Sequence, residues 1–209
     1  MNKSKQETIR RTLGRGSDSI GQAKTKLGFY RMGANCAHFS FSKVISMNKQ
    51  TRHLVQGALI AALYAALTHL QNLLLPGSAT WAIQFRASEA LCVLAMFTPA
   101  AIPGLAVGCA LFNLTFAGAL PLDMVVGTAA TLLCAVAMWK LRKLTPVALA
   151  MPALFNALLV GWELTVYIGG GFLLNALYVA IGELAVLYTL GWLLHATLKK
   201  QGLAQRLFG

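Results

Sequence analysis

From Arg52 onward the chain is a succession of long apolar runs, and this pattern restricts it to a helical membrane protein. A segment of about 20 apolar residues spans a bilayer as a helix, because its backbone groups are then hydrogen-bonded within the segment. Of the 209 residues, 57% are hydrophobic and 11% are charged, and the mean hydropathy is +0.63. The runs are too many and too long for one soluble core. The sequence therefore predicts an all-α integral membrane protein with one transmembrane domain.

The apolar runs number six, which predicts a bundle of six transmembrane helices. They cover roughly 53–75, 84–97, 102–120, 122–141, 146–168 and 172–198. The second run is short and tightly joined to the third, so the two could also form one re-entrant unit. Pro103 stands where a helix tolerates proline best, in its first turn. Pro152 lies inside the fifth run and predicts a kink.

The basic residues predict the orientation of the bundle. Positive charges favour the cytosolic side of a membrane. They precede the first run and follow the fourth and sixth runs: Lys49, Arg52, Lys140, Arg142, Lys143, Lys199, Lys200 and Arg206. The connections near 76–83, 118–122 and 169–171 contain no Lys or Arg. An even number of spans with both termini in the cytosol fits every basic cluster, and the cell membrane is the expected location.

Residues 1–46 differ from the rest of the chain. They are basic, contain Gly and Ser, and have no long apolar run, so they lack the core of a secretory signal. We expect this leader to be poorly ordered. Met47 opens a short basic stretch followed by a helix, as a natural start would. The leader is thus either a cytosolic tail or the product of a mis-assigned start, and residues 47–209 form the transmembrane domain.

The net charge of +12 does not predict nucleic-acid binding. The basic residues lie at the ends of the apolar runs and in the leader, where they act as topology signals. The four cysteines, Cys36, Cys92, Cys109 and Cys134, show no C-x-x-C spacing and are best interpreted as packing thiols. No phosphate loop, H-E-x-x-H or G-x-S-x-G motif is present, so we expect neither an enzyme, a metal site nor a cofactor.

Polar side chains are concentrated in the outer halves of the predicted helices. An ionisable group in hydrocarbon is costly and usually faces the bundle interior, where it marks a binding site or a pathway. The polar residues that meet this description are Gln84, Arg86, Glu89, Asn113, Asp123, Asn156, Glu163, Asn175 and Glu183. The cytosolic halves contain almost none, whereas a pore would be polar throughout. The pattern predicts an outward-facing pocket with a closed floor.

Helical spacing supports convergence of these side chains. Asn156 and Glu163 are seven residues apart and share a face, and Asn175 and Glu183 are eight apart. Arg86 lies three residues before Glu89, so the two can pair. The alternative is that these groups bond to one another between helices and bind nothing.

Small residues predict close helix contacts. The first run carries Ala58, Ala61, Ala62, Ala65 and Ala66, which form two overlapping A-x-x-x-A patterns. They make a flat surface, either for another protein's helix or for packing within the bundle. Gly104 and Gly108 form a G-x-x-x-G pair, which we expect to pack internally.

Three stretches resemble the QueT family of predicted queuosine-precursor transporters. They read "IQFRASEALCVLAMFTPAAIPGLAVGC", "PLDMVVGTAATLL" and "NALYVAIGELAVLY", and the resemblance covers roughly residues 50–200. It implies the substrate-binding (S) component of an energy-coupling factor (ECF) transporter, with six helices. Such a component captures a 7-deazaguanine outside the cell and associates with a transmembrane coupling subunit and two ATPases. The alanine pattern matches the motif by which S components dock on the coupling subunit.

The pocket chemistry agrees with such a ligand. Arg86 opposes Glu89, Asp123, Glu163 and Glu183, which leaves a formally negative site that favours a neutral or cationic molecule. A 7-deazaguanine offers a ring N–H and an amine side by side to a carboxylate, and an aminomethyl group suits a second carboxylate. The aromatic residues that could stack on its ring are Trp81, Phe85, Trp162 and Tyr178.

The connection between the first two runs, residues 76–83, has the composition of a lid. It combines a Pro-Gly break, small residues and one tryptophan. We expect it to fold over the ligand with Trp81 or Phe85 covering the ring. The plainer interpretation is a connector with an interfacial tryptophan.

Two other classes of function stay open. A stand-alone proton-coupled transporter of a small polar or cationic metabolite would use Glu163 or Glu183 as the proton carrier, although no inverted repeat is visible. A membrane scaffold or enzyme subunit without transport activity is the other. Dependence of uptake on ATPases and direct ligand binding would separate these classes.

Overall fold

The computed structural model describes residues 48–76, 85–119, 122–200 and 202–208, and in these ranges every regular element is a helix. We number the helices in chain order. They are α1 (Lys49–Leu74), α2 (Ala87–Met96), α3 (Ala101–Thr115), α4 (Asp123–Lys140), α5 (Thr145–Tyr167), α6 (Phe172–Lys200) and α7 (Leu203–Phe208). All contacts described below lie within the unit His53–Gly209. The prediction of an all-helical membrane protein is confirmed.

In the described part of the chain, four helices are long and apolar enough to cross a membrane: α1, α4, α5 and α6. The other two predicted spans are shorter. Helix α2 is a 3-10 helix of 10 residues, and α3 has 15 residues. At their characteristic rises each is about 20 Å long, less than the hydrocarbon thickness of about 30 Å. Helix α2 lies inside the predicted range 84–97, and α3 ends before the end of the predicted range 102–120. Both predicted ranges were thus too wide.

Helix α2 runs antiparallel to α1. At its start, Gln71 of α1 accepts a hydrogen bond from the Ala87 amide at 2.7 Å. Beyond its end, the Thr98 hydroxyl contacts Gln56 Oε1 at 3.5 Å. Gln71 and Gln56 are 15 residues apart on α1, or about 22 Å along its axis. The segment therefore returns along most of α1 and does not turn back halfway.

Helix α3 packs against α1 through glycines. A Cβ at Gly104 would lie 2.6 Å from the Gly57 carbonyl oxygen, and one at Gly108 would lie 2.8 Å from that of Ala61. Backbones can approach this closely only without side chains. The internal packing predicted for Gly104 and Gly108 is confirmed. Farther along, His69 Nε2 and Thr115 Oγ1 are 2.8 Å apart, so the two helices run parallel over this length.

The second half of the bundle consists of α4, α5 and α6 in succession. Helix α5 contacts both of its neighbours, and Pro152 is accommodated within it. The connection to α6 uses Gly169 and Gly170, both at φ near +80° (83° and 80°), a region that favours glycine. Helix α6 contains a π-helical turn, Leu187–Gly191.

The apolar core lies among α1 to α5 and the end of α6. It includes Cys92, Cys109 and Cys134, all free and buried, as the packing interpretation expected. Several predictions concern residues outside the described ranges. These are the leader 1–46, Met47, Cys36, Trp81, Gln84 and most of the proposed lid.

Candidate functional site

The polar residues that the sequence placed inside the bundle are buried. Each exposes 8% or less of its surface: Arg86, Glu89, Asn113, Asp123, Asn156, Glu163, Asn175 and Glu183. Three carboxyls, those of Glu89, Glu163 and Glu183, are fully enclosed at 0%. Side chains of this kind are rarely buried without a partner or a function.

Glu89 is held by neighbouring donors. The Tyr64 hydroxyl of α1 donates a hydrogen bond to its Oε1, and the Cys92 thiol donates to its Oε2 at 3.1 Å. Next to this contact, Thr68 donates to Ser88 at 2.7 Å. Glu89 therefore joins α2 to α1.

Asn156 and Glu183 join α5 to α6. Asn156 Nδ2 donates to Glu183 Oε1 at 3.1 Å. The second oxygen of Glu183, Oε2, is buried and has no hydrogen-bond partner among the described residues. An acceptor left in this state costs about 1–3 kcal/mol, so its presence calls for an explanation.

Asp123 and Glu163 join α4 to α5. Their carboxyls lie close enough to interact directly, and Asp123 stands in the first turn of α4. Asn113 of α3 donates from Nδ2 to the Asp123 carbonyl at 2.7 Å. Asn113 Oδ1 and both oxygens of Glu163 accept no hydrogen bond from a donor in the described part of the chain.

Arg86 connects these three contacts. Its guanidinium interacts electrostatically with Glu89 and Glu183, and Glu163 also lies within its range. Glu89 and Glu183 interact with each other as well. One guanidinium thus faces several carboxyls in a single buried cluster. We call this set the polar cluster: Arg86, Glu89, Asn113, Asp123, Asn156, Glu163 and Glu183.

The polar cluster contains four buried oxygens that have no hydrogen-bond partner among the described residues. They are Asn113 Oδ1, Glu163 Oε1, Glu163 Oε2 and Glu183 Oε2. Glu163 lies seven residues beyond Asn156 on α5, about 10 Å along the helix, so the cluster has two layers. A molecule that supplies several N–H donors over this depth would satisfy the cluster.

Some predicted site residues lie elsewhere. Trp162 is 50% exposed whereas its neighbour Glu163 is enclosed, and its assignment to ring stacking stays a prediction. Phe85 is 45% exposed, and Tyr178 is half-buried on α6. Asn175 donates to Thr165 Oγ1 and to the Gly169 carbonyl, both at 3.0 Å, and so fixes the connection between α5 and α6.

The sequence analysis missed a polar stripe on α1. Tyr64, Thr68 and Asn72 follow at intervals of four residues and are all buried. Both side-chain polar atoms of Asn72 lack a partner among the described residues. The four-residue spacing is visible in the sequence, and these three side chains lie on a different face of α1 from the exposed alanines. Asn72 is therefore a further residue that could form hydrogen bonds to a ligand.

The alanines of α1 divide between two faces. Ala58, Ala62 and Ala66 are exposed, and Ala65 is half-buried. Ala61 is only 4% exposed because it packs on Gly108. Ala61 is thus largely covered by α3, and the exposed stripe is Ala58, Ala62 and Ala66.

One set of metal-ligand types occurs in the described residues. Glu89, Cys92 and Cys134 place one ligand atom each within 4.8 Å of one another. Carboxylate and thiolate together suit zinc. In this geometry, however, the Cys92 thiol donates to Glu89, so the cluster is already satisfied as a hydrogen-bonded packing contact.

Comparison with known proteins gives a match to one family model. No curated protein and no solved structure matches the chain significantly. The family model described as "QueT transporter" matches residues 54–200, which include every helix from α2 to α6 and nearly all of α1. The leader lies outside the match. On this evidence the chain belongs to the QueT transporter family.

Proposed function

We propose that this protein is the substrate-binding S component of an ECF-type importer and that its substrate is a queuosine precursor. The substrate is a 7-deazaguanine such as 7-aminomethyl-7-deazaguanine. Membership of a transporter family supplies the class of function. The polar cluster supports the choice of ligand.

The observation that carries the proposal is the set of unsatisfied acceptors. Four buried oxygens, on Asn113, Glu163 and Glu183, lack donors among the described residues. An aminomethyl-deazaguanine carries two ring N–H groups, an exocyclic amine and a cationic aminomethyl group, all of them donors. Hydrogen bonds to charged acceptors are stronger than neutral ones, so a donor-rich cation suits this site better than an anionic metabolite.

The two layers of the polar cluster suggest which group of the ligand contacts which layer. The carboxyls of Asp123 and Glu163 lie side by side, so an aminomethyl cation bound between them would offset their mutual repulsion. Glu183 retains one free oxygen deeper in the bundle for a ring N–H or the exocyclic amine. Arg86 can donate to the keto oxygen. Tyr178, half-buried on α6, is a candidate for stacking on the ring.

Docking would use the exposed small-residue stripe of α1. Ala58, Ala62 and Ala66 leave α1 flat toward the outside, and a groove of about 230 Å³ between α1 and α3 lies beside Ala58. Helices in membranes associate through such surfaces. The coupling subunit, together with two ATPases, would bind here. The basic ends of α4 and α6 support a cytosolic location for both termini in a multi-pass cell-membrane protein.

Equilibrium binding to the purified protein tests the proposal. Isothermal titration with 7-aminomethyl-7-deazaguanine should show saturable binding at one site, with 7-cyano-7-deazaguanine and queuine as further ligands. Adenine is the control, because it lacks the keto oxygen and the adjacent N–H. Absence of binding by all three deazaguanines, in protein that remains folded, would contradict the proposal.

The contact between Asp123 and Glu163 favours one alternative, a proton-coupled transporter. Two facing carboxyls in a buried site can share a proton. Uptake measured in cells with and without the coupling subunit and ATPases separates the two mechanisms. Uptake that needs no ATPase and stops with a protonophore would support the alternative.

A further inference from the structure

A second cavity, of about 440 Å³, lies at the basic end of the bundle, where α5 begins and α6 ends. Its lining residues are Thr145, Trp192, His195, Ala196, Lys199 and Lys200. None of them belongs to the polar cluster or to the small-residue stripe of α1. The cavity combines two ammonium groups, an imidazole and an indole.

The lining of this basic cavity follows one face of α6. Trp192 and Lys199 are seven residues apart, with His195 between them, so the face changes from aromatic to cationic over about 10 Å. Trp192 is 46% exposed. This order matches a membrane interface, where an indole lies at the level of the headgroups and lysines extend toward water.

Several contacts build the basic cavity. The Tyr188 hydroxyl donates to the Pro146 carbonyl at 2.8 Å and holds α6 against the first turn of α5. The π-helical turn Leu187–Gly191 ends directly before Trp192 and shifts the face that follows. The His195 ring lies 5.4 Å from the Phe97 ring, which fixes its position. Thr145 opens α5, a helix of 23 residues whose amino-terminal end favours anions.

We propose that the basic cavity binds the phosphate headgroup of an anionic phospholipid. Lys199 and Lys200 would neutralise the phosphate, and basic pockets between transmembrane helices are known to take such headgroups. A lipid fits better than a free anion because most of the surface that lines the cavity is apolar.

Quenching of Trp192 by brominated lipid tests this site directly. The variant has Trp81, Trp139 and Trp162 replaced by Phe and is reconstituted in phosphatidylcholine nanodiscs. Brominated phosphatidylglycerol or brominated phosphatidylcholine is then added at equal mole fractions. We expect the anionic lipid to quench more strongly at low mole fraction. Lys199→Gln with Lys200→Gln should reduce this preference by about five-fold per lysine.

A matched control removes the same charge at the same end. Lys140→Gln with Lys143→Gln lies outside the cavity lining and should leave the preference unchanged. Equal effects of the two double variants, or no preference for the anionic lipid, would overturn the proposal. Saturable binding of inorganic phosphate that Lys199→Gln with Lys200→Gln abolishes, without any preference for the anionic lipid, would assign the site to free phosphate and overturn a lipid ligand. None of these readouts depends on deazaguanine transport.

Discussion

Asn156 donates a hydrogen bond to one oxygen of Glu183 at 3.1 Å and leaves the other oxygen buried without a partner in the described structure. The contact orients the carboxyl between α5 and α6 but satisfies only half of it. A purely structural pair would be expected to pair both oxygens, because an unmade buried hydrogen bond is costly. Glu163 likewise has two buried oxygens that accept no hydrogen bond from a donor among the described residues.

Removing these carboxylates should separate binding from structural roles. We predict that Glu163→Gln or Glu183→Gln weakens ligand binding by about 2–5 kcal/mol, because a charged acceptor for the ligand is lost. Glu89→Gln should weaken binding less, since Glu89 already accepts from Tyr64 and Cys92. Calorimetric titration of the three purified variants measures this order. The assignment fails if Glu89→Gln is the most damaging and the other two bind normally.

The contact between Asn156 and Glu183 should show strong coupling in a double-mutant cycle. Asn156→Leu leaves Glu183 without its donor and should destabilise the fold by about 1–3 kcal/mol. The double variant Asn156→Leu with Glu183→Leu removes both partners and should recover much of that loss. Denaturant unfolding in detergent measures both. Additive destabilisation by the two substitutions would show that the pair does not interact.

Replacement by leucine should have different effects at two adjacent alanines of α1. Ala62→Leu, on the exposed face, should abolish ATPase-dependent uptake and leave ligand binding intact. Ala61→Leu should instead lower the unfolding temperature, because Ala61 packs against Gly108. Uptake, titration and thermal unfolding are measured for both. If Ala62→Leu abolishes ligand binding in the isolated protein, this face does not serve docking.

The glycine contact between α1 and α3 should not tolerate a methyl group. A Cβ at Gly104 would meet the Gly57 carbonyl at 2.6 Å, so Gly104→Ala must separate the two helices. We expect a loss of about 1–3 kcal/mol in the free energy of unfolding. Gly171→Ala is the control, since its Cβ would have no atom within 4 Å. Equal stability of the two variants would contradict the close packing.

The segment before α2 should close over the ligand. Gln71 fixes its far end by hydrogen bonds to Phe85 and Ala87, while residues 77–84 lie outside the described structure. In a variant with Trp139, Trp162 and Trp192 replaced by Phe, an aqueous quencher should reach Trp81 less once ligand binds. Unchanged quenching at saturating ligand, in a variant shown to bind, would mean that the pocket closes in another way.

The sequence by itself determined the helices and much of their packing chemistry. Apolar run lengths and breaks such as Gly169-Gly170-Gly171 are local, so they predicted α1, α4, α5 and α6 to within a few residues. The G-x-x-x-G spacing predicted the internal glycine contact. The family resemblance could also be recognised from the sequence, because its motifs lie in continuous stretches, and the family model confirms it.

Only the tertiary structure decided which face of each helix is buried and which acceptors stay unpaired. Trp162 and Glu163 are neighbours in sequence, yet one is half exposed and the other fully enclosed, because successive helical residues point about 100° apart. The rotation that sends Glu163 inward is set by α4 and α6, not by α5 alone. Likewise Tyr64 meets Glu89 across 25 positions and Asn156 meets Glu183 across 27. Such contacts depend on how separate helices pack, and no local pattern in the sequence encodes them.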